Sequence, residues 1–116
     1  MDANPPQTRA NLTTKKDNNM QKIAIYPGTF DPITNGHLDV ITRSSRIFDT
    51  IIVAVAHSAE KTPLFSVENR VEMIKLAIAN MPNVQNVIVE PFSNLLADFA
   101  SAKGCHILIR GLRAVS

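Results

Sequence analysis

The segment Thr50–Ala56 reads TIIVAVA, with no polar side chain after its first residue. A strand with one wet face alternates apolar and polar residues. A run without alternation has to be covered on both faces, which parallel sheets with crossover helices provide. The rest of the chain carries a matching pattern. Lys22–Tyr26 (KIAIY), Asn86–Glu90 (NVIVE) and His106–Arg110 (HILIR) are short apolar runs that suit strands. Between them, Gly36–Phe48 carries Leu38, Ile41 and Ile47 at helical spacing. Ser66 is a good N-cap for a helix to about Asn80, with Val67, Val71, Ile74 and Ile78 on one stripe. Asn94–Ala102 suits a third helix. Strand and helix therefore alternate, which predicts an α/β fold built on a parallel sheet with right-handed crossovers.

A chain of 116 residues suffices for one domain. Residues 1–19, MDANPPQTRANLTTKKDNN, hold Leu12 as their one large aliphatic side chain after the initiator. Such a segment buries too little apolar surface to offset its ordering entropy, so it is expected to be a disordered extension ahead of a domain over 20–116. Met20 is a candidate ancestral start, and the tail lacks the Arg-rich amphipathic pattern of a targeting peptide.

Three of the twelve basic and two of the ten acidic residues fall in this tail, leaving nine against eight in the body. That near-neutral balance argues against a nucleic-acid footprint, which clusters Lys and Arg. One Cys excludes an intrachain disulfide framework and a Cys-rich zinc site. No apolar run approaches the length that crosses a bilayer, so a cytoplasmic protein without membrane or nucleic-acid partners is expected.

In open α/β sheets ligands bind beyond the carboxyl ends of the strands. The first such loop runs from Pro27 to His37, PGTFDPITNGH. Gly28 lets backbone approach a ligand, and Thr29 adds a hydroxyl and an N–H. Gly36 and His37 open a helix, where free N–H groups and the positive dipole end favour phosphate. There is no Walker A motif. Taken alone, Pro, Gly, Asp and Asn make a turn and His37 caps a helix.

The whole string YPGTFDPITNGHL, Tyr26–Leu38, closely resembles the signature of the nucleotidyltransferase superfamily. Its (T/H)xGH hallmark is here Thr34-Asn35-Gly36-His37. Within that superfamily it is similar to the bacterial pantetheine-phosphate adenylyltransferases, which join ATP and 4′-phosphopantetheine into dephospho-coenzyme A and release pyrophosphate. The resemblance implies a Rossmann-like nucleotidyltransferase fold and His37 as the transition-state stabiliser. It implies phosphopantetheine contacts at Thr29, Lys61, Leu96 and Arg110. For ATP it implies Thr29, Phe30, His37, Gly111, Leu112 and Arg113, the last three in the RGLR motif that begins at Arg110. Mg2+ is expected to ride on the ATP phosphates, with no metal site of the protein's own, and a homohexamer is the inherited assembly.

By residue type alone, Lys61 is a solvated loop lysine, Leu96 a core residue, and Arg110 and Arg113 surface arginines. Cys105 and His106 read as buried strand residues. Members of the resembled family continue past RGLRA into further helices and a strand. Those bring an acidic ATP contact and a Ser/Thr-rich phosphate segment. A sheet incomplete at the C-terminus is therefore expected here, with apolar surface or a strand edge uncovered. Two other readings stay open: a sister cytidylyl- or nicotinamide-mononucleotide adenylyltransferase, and a catalytically incomplete fragment that binds nucleotide or phosphopantetheine. The choice of acceptor separates the first, and binding without turnover the second.

Overall fold

The structure, a computed structural model, describes residues 21–57 and 63–110. The expected disordered tail, Lys61 and the triplet Gly111, Leu112 and Arg113 lie outside the described residues. Four strands, β1 (Ile23–Gly28), β2 (Thr50–Ala56), β3 (Val87–Phe92) and β4 (Ile107–Leu108), form one sheet in the order β3-β2-β1-β4. All three pairings are parallel. Helices α1 (Asn35–Ser45), α2 (Val67–Ala79) and α3 (Leu96–Ala102) connect them.

The period of two along the strands distributes the core. Ala24, Tyr26, Ile51, Val53 and Val55 face one way and pack with Ile41 of α1 and Ile74 of α2. Ile25, Ile52 and Ala54 face the other way and pack with Phe99 of α3 and Cys105. The unbroken apolar run of β2 is thus covered on both sides, and its five central residues are buried. Helices on both faces and a strand order that reverses beside β1 make the Rossmann-like doubly wound arrangement.

Local chemistry sets the element ends. Ser66 caps α2, its hydroxyl accepting from the Asn69 N–H at 3.1 Å. Gly104 closes α3 at φ +67°. There the Gly104 N–H donates to the Ser101 carbonyl and the Cys105 N–H to that of Ala100, each at 3.0 Å. That pair is a Schellman closure, which needs a left-handed residue.

Several expectations change. α1 ends at Ser45, and Ile47 lies beyond it at 67% exposure. The Thr42 and Ser45 hydroxyls donate to the carbonyls of Leu38 and Thr42, at 2.8 and 2.7 Å, competing with the last turn. Phe48 packs on the core in its place. β3 runs on to Phe92, past Pro91, because an edge strand tolerates a missing N–H on its open side. α3 starts at Leu96 rather than Asn94. The strand expected over His106–Arg110 shortens to two residues, so His106 precedes the ladder and is exposed rather than buried. Cys105 is buried as expected, its Sγ donating to the Ile23 carbonyl at 2.9 Å.

Candidate active site

β4 pairs with β1 only at Ala24 and Ile25, followed by one bond from the Ile109 N–H to the Ile25 carbonyl at 2.8 Å. The ladder alternates, so the next β1 residue directed at β4 is Pro27, which has no N–H to give. β1 and β4 therefore part, and the sheet opens a crevice where the strand order reverses. A hollow of about 380 Å³ lies there, lined by Pro27, Leu96, Leu108, Ile109 and Arg110. Two residues chosen from different loops, Leu96 and Arg110, thus come together.

On the opposite face, a hollow of about 290 Å³ sits over the start of α1. Its lining includes Tyr26, Gly28, Phe30, Thr34, Gly36 and His37. Thr34 is the N-cap of α1, and its hydroxyl oxygen accepts from the His37 N–H at 3.2 Å. The bond is returned: the Thr34 main-chain N–H donates to His37 Nδ1 at 3.0 Å. This is a capping box with histidine in the place usually held by Glu or Gln. A main-chain N–H can only donate, so Nδ1 is an acceptor and the neutral ring carries its proton on Nε2.

The ring plane is set by aromatic packing. Phe30 meets His37 edge-on at a centroid distance of 4.9 Å, and Tyr26 meets Phe30 at 5.3 Å. Phe30 itself is 3% exposed and holds φ at +50°, a left-handed conformation costly for a bulky residue. Its side chain therefore belongs to the core. Thr29, next to it, is exposed.

Glycine at 36 is not demanded by packing. A Cβ there would meet nothing closer than the Thr34 hydroxyl oxygen at 3.6 Å. Its absence keeps the first turn of α1, with the Asn35 and Gly36 N–H groups, open to an approaching group. Such a turn favours anions.

Sequence reasoning missed Asp31 and Arg70. The Asp31 carboxylate accepts the N–H groups of Leu64 and Phe65, at 2.7 and 2.9 Å. Arg70 is 2% exposed and donates to the carbonyls of Thr29, Ala56 and Phe65. The signal for Arg70 was a charged residue on the apolar stripe of α2, three after Val67 and four before Ile74. Asp31 carried no signal beyond its membership in a turn-rich string.

A larger hollow, about 580 Å³, lies elsewhere, between the end of α2 and the outer strand β3. Its lining is mostly apolar, with Ile78, Met81, Val84 and Ile88, and Lys75 and Gln85 as its polar members.

A family model described as cytidylyltransferase-like matches residues 25–116. The chain is 60% identical over 97 residues to a phosphopantetheine adenylyltransferase of Helicobacter hepaticus, covering 84% of this chain and 57% of that protein. Its identity to the enzyme of the same name from Wolinella succinogenes is 61%, over 84% of this chain and 58% of that one. The one from Rhodospirillum rubrum is 55% identical, over 83% and 56%. The chain thus spans a little over half the length of these curated relatives. Among solved structures, a bifunctional NMN adenylyltransferase/ADP ribose pyrophosphatase of Francisella tularensis, complexed with AMP and an Mn ion, superposes with a TM-score of 0.56. It is 22% identical over 72% of this chain and 25% of that one, a likeness of fold alone.

Proposed function

The chain belongs to the cytidylyltransferase-like family, and from that premise we propose that it is an adenylyltransferase acting on 4′-phosphopantetheine. The acceptor phosphate attacks the α-phosphorus of ATP in line, and pyrophosphate leaves. The observation that carries this reading is the His37 ring held through Nδ1 by the Thr34 N–H at 3.0 Å. The capping box thereby fixes the ring at the first turn of α1, with Nε2 as its proton-bearing nitrogen, before any substrate arrives. A donor fixed before the reaction stabilises charge that develops only in the transition state, without reorganisation at that moment. The names of the relatives in Helicobacter hepaticus and Wolinella succinogenes supply the acceptor.

In this reading the two hollows flanking the tip of β1 take one substrate each. ATP lies over α1, with its α-phosphate near His37, and the resemblance adds Gly111, Leu112 and Arg113 as ATP contacts, Arg113 toward the phosphates. Phosphopantetheine lies between β1 and β4, its arm against Leu96 and its phosphate against Lys61 and Arg110. Thr29, at the tip, belongs to both. The in-line transfer forms no covalent enzyme intermediate, so the work is positioning and electrostatics. Among the described residues, no three His, Cys, Asp or Glu side chains gather as metal ligands. In this reading Mg2+ is carried by the nucleotide phosphates.

A cytoplasmic homohexamer completes the proposal. Exposed Leu64, Leu76 and Leu95 offer apolar surface for association. Among the described residues, no helix is long and apolar enough to cross a membrane.

The test is pyrophosphate release from ATP by this chain, with and without 4′-phosphopantetheine, beside His37→Ala. The substitution is expected to lower kcat by about 10²-fold or more, as loss of one such donor does, while the Kd for ATP changes little. Release driven by another acceptor moves the assignment to a sister enzyme. Binding of phosphopantetheine without release makes the chain a binding fragment.

A further inference from the structure

Arg70 stands where the apolar stripe of α2 asks for an aliphatic side chain, and it is 2% exposed. Its Nη1 donates to the carbonyls of Thr29 and Ala56, both at 2.8 Å, and its Nε to that of Phe65 at 3.0 Å. These acceptors lie on three separate segments: the loop after β1, the last residue of β2, and the turn entering α2. All its hydrogen-bond partners among the described residues are main-chain carbonyls, with no carboxylate among them. Burying a guanidinium in this way is expensive, and packing alone is served as well by Leu or Met.

A second strut joins the same segments. The Asp31 carboxylate takes the N–H groups of Leu64 and Phe65. Phe65 is thus gripped from both sides, its N–H by Asp31 and its carbonyl by Arg70. Thr29 and Asp31 in turn bracket Phe30, whose ring sets the plane of His37.

We propose that Arg70 is a positioning residue that, with Asp31, holds the Thr29–Asp31 loop in register with the end of β2 and the start of α2. The brace presents Thr29 and His37 at one fixed spacing. Its catalytic consequence rests on the adenylyl-transfer reading above. The planar fork is what the brace requires, with two carbonyls on one terminal nitrogen and a third on Nε. A lysine ammonium keeps the charge but swivels on its stem and does not reproduce that fork.

The experiment compares Arg70→Lys, Arg70→Met and Asp31→Asn with the full wild-type chain. It reads amide hydrogen exchange at Leu64 and Phe65, whose N–H groups Asp31 accepts, in the free protein, and kcat and KM with ATP and 4′-phosphopantetheine. Both Arg70 variants should lose protection at least tenfold at these amides. Their kcat should fall by about 10²-fold, the usual scale for a misplaced reacting geometry, with KM values within threefold. Asp31→Asn should move both readouts in the same direction by about tenfold. A merely structural arginine lowers Tm and leaves kcat per folded molecule unchanged, which overturns the proposal. Lysine restoring kcat to within twofold also overturns it, because charge and not the fork is then what matters. If the Arg70 variants do not fold, Asp31→Asn decides, and wild-type exchange and kcat there overturn the brace. A wild-type chain that neither binds nor turns over phosphopantetheine sinks the adenylyl-transfer reading instead. The brace is then judged on exchange alone.

Discussion

Gly28→Ala is the change that most directly couples the end of β1 to His37. An ideal Cβ on Gly28 would lie 2.9 Å from Phe30 Cζ and 3.0 Å from Cε2. The only positive-φ glycine among the described residues is Gly104, so alanine at 28 tests space and not backbone conformation. To regain the 3.4 Å of an ordinary contact the ring has to withdraw by the difference, about 0.5 Å. It has little room to do so, because it is 3% exposed and wedged between Tyr26 and His37. Overpacking of this kind costs about 1–3 kcal/mol. Taking about 2 kcal/mol and roughly 4–8 °C of Tm per kcal/mol for a domain of this size, Tm should fall by about 8–16 °C. Circular-dichroism melts read that shift, and 1H–15N spectra of the His37 ring read its displacement. Phe30→Leu vacates the clashing volume. The double variant should therefore be more stable than the sum of the two single losses predicts, by about 1–2 kcal/mol. Additivity within about 0.5 kcal/mol, or an unmoved His37 resonance, would refute the coupling.

Two further changes isolate the helix ends. Thr34→Ala removes the cap oxygen from the His37 N–H, so unfolding titrations should show a loss of about 1 kcal/mol, which Thr34→Ser largely restores. Equal losses for Ala and Ser would mean that the hydroxyl does not cap α1. Gly104→Ala meets nothing within 4 Å but forces a Cβ into φ +67°. Its cost should be the pure left-handed penalty, about 1–2 kcal/mol, read as a lower denaturation midpoint at constant m-value. Neutral behaviour would show that α3 ends in another way in solution.

Much of the fold is legible one residue at a time. The unbroken run of β2, the Ser66 cap and the stripe of Val67, Val71, Ile74 and Ile78 are local patterns, and each becomes the element it suggests. Where local pattern misled, a neighbour decided. Ile47 keeps helical spacing but lies past the point where hydroxyls draw off the last carbonyls of α1. Pro91 looks like a strand end, yet the open edge of the sheet leaves it unpenalised. His106 sits in an apolar run whose ladder starts one residue later.

The candidate site divides in the same way. The residue types of the first loop, and the helix start at Gly36 and His37, are written in a contiguous string, because capping and turn chemistry act over three or four residues. By itself, then, the sequence determined an alternating α/β chain with its candidate site after β1. The tertiary structure alone decided that β1 and β4 part at Pro27 and that Leu96 and Arg110 share one hollow. It also decided that His37 is oriented by Phe30, and that Arg70 and Asp31 tie segments 33 to 41 residues apart. Such contacts depend on which strands become neighbours, and strand order is a property of the assembled sheet that no local run of residues encodes.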